Sequence, residues 1–274
     1  MEPLFVDLAL ARRVELAEAQ AAACAAQATT RTRTGAAVER IAGGFAVYCG
    51  ANSPVTQAIG LGLSGAVSDE QFQQLENFYR SRNEPVRIEA CPLADATLFE
   101  LLGKHGYRAT EFTNVMARRI ANGEEFDAPG KGITVETVGE KQIDLWALTV
   151  AQGFAEKQPV SGEILEVMKM FALAPGIECY LAKLDGKPAG GGTLSLRDGL
   201  AGLFGASTLP TFRKRGVQSA LLRARLGRGA AAGCSVAVCL AQPGSSSQRN
   251  ILRHGFQVLY TRVKFERDWE PKQA

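Results

Sequence analysis

The feature that most constrains this fold is an echo between two distant stretches of chain. Residues 102–116 read LGKHGYRATEFTNVM, and residues 251–265 read ILRHGFQVLYTRVKF. In both, an apolar residue stands three before a His, followed by Gly, an aromatic and a strand-like run with aromatic–Thr. His105 and His254 are the only two histidines in the protein. The stretches upstream repeat as well. The first copy runs through strand-like 44–50 and 56–63, a helical 68–82, a strand 86–91 and a short helix 95–104. The second runs through strand-like 178–186, 191–199 and 200–208, a helix 215–232, a strand 235–241 and a short helix from Ser245. Strands and helices alternating in this order predict an α/β or α+β domain that occurs twice.

A chain of 274 residues is long enough for two such domains, each with its own core. Between the copies lies ANGEEFDAPGKG (121–132), rich in Gly, charge and Pro, which reads as a linker. The expected division is therefore 1–120, a linker 121–132, and 133–274. Helices over about 4–27 and near 140–156 and 161–174 would open the copies.

Hydrophobic residues make up 46% and charged residues 22%, which argues against disorder, and the net charge of +3 gives no global case for nucleic acid. The N-terminal stretch carries acidic residues within its apolar run, unlike a secretory signal. No apolar run has the length to span a bilayer, so the expectation is a cytoplasmic chain with neither a membrane nor a nucleic-acid partner. The six cysteines, Cys24, Cys49, Cys91, Cys179, Cys234 and Cys239, form no CxxC pair. They read as reduced core thiols rather than as metal ligands or nucleophiles.

Chemistry concentrates in LFGASTLPTFRKRGVQSALLRARL (203–226). An apolar strand ends at Pro210, a basic loop follows, and a helix begins at Gly216. Val217, Ala220, Leu221 and Ala224 give that helix one apolar face. The amides of its first turn, from Gly216 through Val217, Gln218 and Ser219, lack intrahelical acceptors and face the loop. With the helix dipole they form an anion site flanked by Arg213, Lys214 and Arg215. The loop is neither a Walker P-loop nor GxGxxG.

LPTFRKRGVQSALL resembles the acetyl-CoA-binding motif of the GNAT acyltransferase superfamily. Arg213 and Gly216 match it, while Gln218 stands where the family usually has Gly or Ala. The order of elements around the motif is similar over about residues 133–268. The resemblance implies two GNAT-like domains, each a mostly antiparallel mixed sheet flanked by helices, with the N-terminal copy degenerate. It implies N-acetyl transfer from acetyl-CoA to a small-molecule or peptide amine, with no metal, and a homodimer is among the assemblies it allows. Pantetheine would pair with the backbone near Ala206, Ser207 and Thr208, with the thioester toward Gln242 and Asn250 as a further contact. The family's Tyr, which protonates the departing thiolate, falls here on Ile251. Tyr260 and Ser247 are the substitute candidates for that role, and an ordered water is the expected base. Phe154, Glu156, Glu163 and Met168 would line the acceptor side.

His254 is read as structural, a cation at a helix end, because His105 holds the same place in a copy with no basic loop. That first copy has no Arg or Lys between Arg40 and Arg80. Two competing readings remain: a non-catalytic acyl-CoA sensor, favoured by Ile251, and nucleic-acid contact through the basic residues at 213–215 and 223–228.

Overall fold

The computed structural model describes residues 4–29, 35–51, 53–155 and 160–268. Its elements follow the echo closely. In the first copy, α1 (Leu8–Thr29) precedes β1 (Ala37–Ile41), β2 (Gly44–Tyr48), β3 (Gln57–Ile59), α2 (Asp69–Arg80), β4 (Val86–Ala90), α3 (Ala96–Lys104) and β5 (Arg108–Arg119). In the second, β6 (Ile133–Thr137), α4 (Ile143–Phe154) and α5 (Gly162–Leu173) precede β7 (Ile177–Leu184), β8 (Lys187–Arg197) and β9 (Leu200–Thr208). Then come α6 (Val217–Ala231), β10 (Val236–Ala241), α7 (Ser246–Leu252) and β11 (Gln257–Arg267). From β1 to β5 and from β7 to β11, the elements correspond one to one. No described helix is long and apolar enough to cross a membrane.

Two compact units result, and neither is continuous in sequence. The first holds Phe5–Met116, Ala241–Gln248 and the segment from Val258; the second holds Leu4, Ala117–Leu240 and Arg249–Gln257. This differs from the expected division, which kept the final strand with residues 133–274. The physical reason is strand pairing. β11 runs antiparallel to β4, with Val263 opposite Ala90 and Arg267 opposite Val86, and so completes the first unit's sheet. Within that unit the strands lie in the order β1-β2-β3-β4-β11-β5, all antiparallel where registered except the β3–β4 crossover through α2. Its core is built from Phe72, Leu75, Phe78 and Tyr79 of α2 with Ile88, Leu98 and Leu102.

The second unit's strands lie in the order β10-β9-β8-β7-β6, antiparallel except for β9 and β10, which are parallel and joined through α6. α4 packs against this sheet with Trp146 fully buried, its indole N–H donating to the Tyr180 carbonyl at 3.1 Å. Phe171 of α5 meets Phe204 of β9 edge to face, with ring centroids 5.2 Å apart. Residues 121–132 are more than a spacer. Glu124 pairs with Arg118, whose guanidinium lies over the Phe126 ring, and Asp127 faces Arg223 of α6 at 3.6 Å. Residues 124–129 thus run beside α6 and enclose with it a cleft of about 430 Å³.

The cysteines are free thiols, and burial raises Cys91 to about 11 and Cys179 to about 12, as expected for unreactive core positions.

Candidate acyl-CoA site

The site begins with three consecutive glycines on β8. A Cβ at Gly191 would stand 2.7 Å from Trp146 and Val150 of α4. One at Gly190 would meet the Ser207 carbonyl at 2.5 Å and Val217 at 3.2 Å, and one at Gly192 would meet Arg225 at 2.9 Å. Helices on both faces therefore press close to the strand. Opposite them, β9 carries a bulge: Gly191 pairs with Ser207 and Thr193 with Phe204, which leaves Gly205 and Ala206 across from Gly192 alone. Gly205 has φ +55, the left-handed conformation such an extra residue adopts.

A bulge bends its strand, and here β9 turns away from its parallel neighbour. The β9–β10 ladder runs from Leu200–Val236 to Leu203–Cys239, and among the described residues it goes no further. From Phe204 to Thr208, β9 is paired only on its β8 side. The Leu209 amide donates to Ala189 on β8, so Thr208, one residue earlier, turns its backbone to the opposite, open edge. Its carbonyl there accepts from Arg213 Nε at 3.3 Å. Ala206 shares that facing, whereas Ser207 is turned inward, with its hydroxyl donating to the Val150 carbonyl at 2.8 Å. Through that bond Ser207 ties β9 to α4.

At the end of β9, residues 210–212 form one 3-10 turn, and the loop reaches α6 through Lys214 (φ +62) and Gly216 (φ +85). Alternating left-handed residues curl a backbone so that successive N–H groups converge on a concave face, which favours an anion. Gly216 is the N-cap of a 15-residue helix and makes no side-chain cap hydrogen bond, so the first-turn donors of Val217, Gln218 and Ser219 have no side-chain acceptor there. Val217 is buried and anchors the turn. The space at Gly216 is bounded by Ile133, 3.4 Å from where a Cβ would stand.

The basic residues divide their labour. Arg213 spans the Thr208 carbonyl and, through Nη2 at 3.1 Å, the Gly153 carbonyl in the last turn of α4. It braces the loop and complements the dipole of α4. Arg215 lies over the Phe212 ring and 3.6 Å from Asp185, a solvent-screened pair. Lys214 is exposed. Gln218 accepts from the Thr208 hydroxyl at 3.2 Å, which ties strand end to helix start.

Ser219 shares a 3.1 Å hydrogen bond with His254 Nε2. The pKa of His254 is lowered from the ordinary histidine value, first because the ring is partly buried and then because Arg223 and Arg118 lie near it. That direction favours the neutral ring over the cation expected at a helix end. The structural role itself has a parallel in the echo. His105 bonds Glu76 of α2 at 3.1 Å as His254 bonds Ser219 of α6, so each histidine joins its copy's short helix to that copy's crossover helix.

Both substitute acids, Tyr260 and Ser247, belong to the first unit. Tyr260 is buried in the first unit, where its hydroxyl donates to the Glu15 carboxylate at 2.8 Å. Burial first, and then Glu15, raises its pKa far beyond the ordinary phenol range. Glu15 and Glu18 share Arg262 there, and Glu89 joins them at 3.0 Å. Ser247 is exposed in the first turn of α7, in the first unit; the capping hydroxyl is that of Ser245, which accepts from the Gln248 amide at 3.1 Å. Asn250 is half-buried in the second unit, and Ile251, where the resemblance leads one to expect the acid, is 4% exposed. Of the acceptor-side residues, Phe154 and Glu163 are exposed, Met168 is buried and Glu156 lies outside the described residues.

Sequence reasoning missed Arg225, Thr193 and the bulge. Arg225 is 1% exposed and points under β9 from α6. The available signal was the run Gly190–Gly192, because consecutive glycines inside a strand mark a bulge or a close approach.

The first unit shows what the same architecture does without such a site. There β3 ends at Ile59, because the chain turns left-handed at Gly60 and Gly62. The Gly62 carbonyl is taken by the Asp95 amide at 2.9 Å, and the Leu63 carbonyl by Arg12 Nε at 2.7 Å. The start of α2 is closed by a capping box between Ser68 and Gln71, with Asp69 and Glu70 in its first turn.

Residues 145–256 match the sequence model of the acetyltransferase (GNAT) family. No curated protein sequence matches the chain. Among solved structures, the fold is similar to a GCN5-related N-acetyltransferase from Kribbella flavida at 15% identity, with 92% of this chain and 96% of that one covered and a TM-score of 0.65. A tandem GNAT protein from the clavulanic acid biosynthesis pathway matches at 13% identity, over 91% and 89% of the two chains, with a TM-score of 0.60. A GCN5-related N-acetyltransferase from Sphaerobacter thermophilus matches at 20% identity, over 74% and 68%, with a TM-score of 0.57. At these identities the likeness is one of fold, and it extends across nearly the whole chain.

Proposed function

We propose that this chain, which carries a GNAT-family domain over residues 145–256, transfers the acetyl group of acetyl-CoA to an amine of a small molecule or peptide. The observation that carries this reading is the pairing of an open strand edge with an uncapped helix start in one loop. The amides of residues 216–219 would take the pyrophosphate, with Lys214 and Arg215 supplying positive charge at its rim. The open backbone of Ala206 and the amide of Thr208, whose carbonyl is held by Arg213, would pair with the amide groups of pantetheine as an added strand does.

The thioester supplies the activated acyl carbon. A neutral amine attacks it directly: the C–N bond forms, the C–S bond breaks, and the thiolate departs on coenzyme A. The amine's proton leaves to an ordered water. Orientation of amine and thioester is the larger contribution to rate, and a positioned acid adds a smaller factor. That is consistent with Ile251 at the family's acid position and with Tyr260 held by Glu15. The first copy, with its strand cut short and its helix self-capped, supports a scaffolding role.

The test is release of free thiol from acetyl-CoA across a panel of small-molecule and peptide amines. Turnover on at least one amine class is expected. Tight binding with no release on any of them would replace the reading with that of a non-catalytic acyl-CoA sensor.

A further inference from the structure

Arg225 is a charge buried where an apolar side chain would pack at lower cost. It lies at the eighth position after Val217, on the apolar face of α6, and is 1% exposed. Burial pulls its guanidinium down to about 10, so it remains a cation at neutral pH. Among the described residues no carboxylate forms an ion pair with it. Its hydrogen bonds run to carbonyls: Nε to Leu221 at 3.0 Å, and Nη1 to Thr193 at 3.0 Å and Phe204 at 3.5 Å. Desolvating a charge without a counter-ion is costly, so the carbonyls it holds are where to look for its role.

The Leu221 carbonyl belongs to α6 itself, and the other two stand at the bulge. Thr193 and Phe204 are the last regular pair before the extra residue, and Leu203, one residue earlier, is the last of β9 to pair with β10. The Phe204 carbonyl also accepts from the Thr193 hydroxyl at 2.6 Å. Gly192 makes room for the arrangement, since a Cβ there would lie 2.9 Å from Arg225 Nη1 and 3.1 Å from Ala206. One guanidinium therefore holds both strands at the point where β9 leaves its neighbour. A Lys ammonium is a point donor on a flexible stem and lacks the Nε bond to Leu221 that fixes the plane from which Nη1 reaches both strands.

We propose that Arg225 is the positioning residue of the acyl-CoA groove: it fixes the bulge and so presents the open backbone edge at Ala206 and Thr208 to the pantetheine arm. This rests on the acyl-CoA reading given above, and the experiment separates the two. Calorimetric titration of the full chain would compare CoA with its nucleotide half, 3′-phospho-ADP, which carries the diphosphate and no pantetheine. The wild type is expected to bind both. Arg225→Lys and Arg225→Met are expected to keep the affinity for 3′-phospho-ADP and to bind CoA about tenfold more weakly, the scale of one or two lost backbone hydrogen bonds. Gly192→Ala, which crowds the guanidinium from the strand side, is expected to reproduce that split and carries the test should Arg225→Met fail to fold. Equal loss for both ligands would mark Arg225 as merely structural, and unchanged CoA affinity in Arg225→Lys and Gly192→Ala would likewise overturn the proposal. A wild type that binds neither ligand would instead overturn the acyl-CoA reading, and this inference with it.

Discussion

At the residue scale, His254 links local chemistry to a measurable pH dependence. Its ring bonds Ser219 in the first turn of α6, and its carbonyl accepts from Arg118 at 3.1 Å. Because its folded pKa lies below the ordinary value of 6.5, the unfolded chain takes up the proton first as pH falls. The stability that neutral His254 contributes is present above 6.5 and is lost as pH drops through that value toward the lower folded one. Urea unfolding of wild type and His254→Gln at about pH 7.5 and pH 5.5 would show this, with the wild type losing more stability on acidification. Parallel pH profiles for the two proteins would contradict it. Single residues were also where the sequence misled. Tyr260 is an aromatic in a strand, and its partner Glu15 lies 245 positions away, so no local pattern separates a buried Tyr from a reactive one. Arg213 matches the motif, yet the carbonyls of Thr208 and Gly153 that hold it become visible only in three dimensions.

At the scale of elements, the two crossover helices give the clearest contrast. The start of α2 is written in the sequence: Ser68 and Gln71 form the capping box, and Asp69 and Glu70 complement the dipole. The start of α6 was equally legible, because a Gly preceded by basic residues has no side chain with which to cap. Both signals are local, and both helices appear within two residues of their expected bounds. β1 and β6 were not read as strands: AVERI and ITVET are five residues each and carry charge. The open edge of β9 was legible only through the family resemblance. Its length and apolar pattern marked a strand, but its loss of pairing after Leu203 depends on Gly205 and on Arg225 beneath it.

At the scale of the whole molecule, the echo correctly announced two copies of one architecture, and the pairing of the last strand is what a linear reading could not supply. β11 has the same alternation whichever sheet it joins, so its pairing with β4 leaves no trace in its own sequence. Division of the gene at 121–132 would therefore cut through the first unit, separating β11 from β4 and Arg262 from Glu15 and Glu89. Expressed alone, residues 133–274 are expected to be poorly soluble and to recover when co-expressed with residues 1–132. A soluble, cooperatively melting C-terminal fragment would contradict that account.

The central claim is that the start of α6 is the anchor of an acyl-CoA. Calorimetric titration of acetyl-CoA into the wild type and Gly216→Glu tests it most directly, since the substitution puts bulk and negative charge where the uncapped amides converge and adds backbone strain of about 1 kcal/mol at a left-handed position. The account predicts saturable one-site binding by the wild type and loss of about a hundredfold or more in affinity for a folded Gly216→Glu chain. Equal affinity for the two proteins would contradict it.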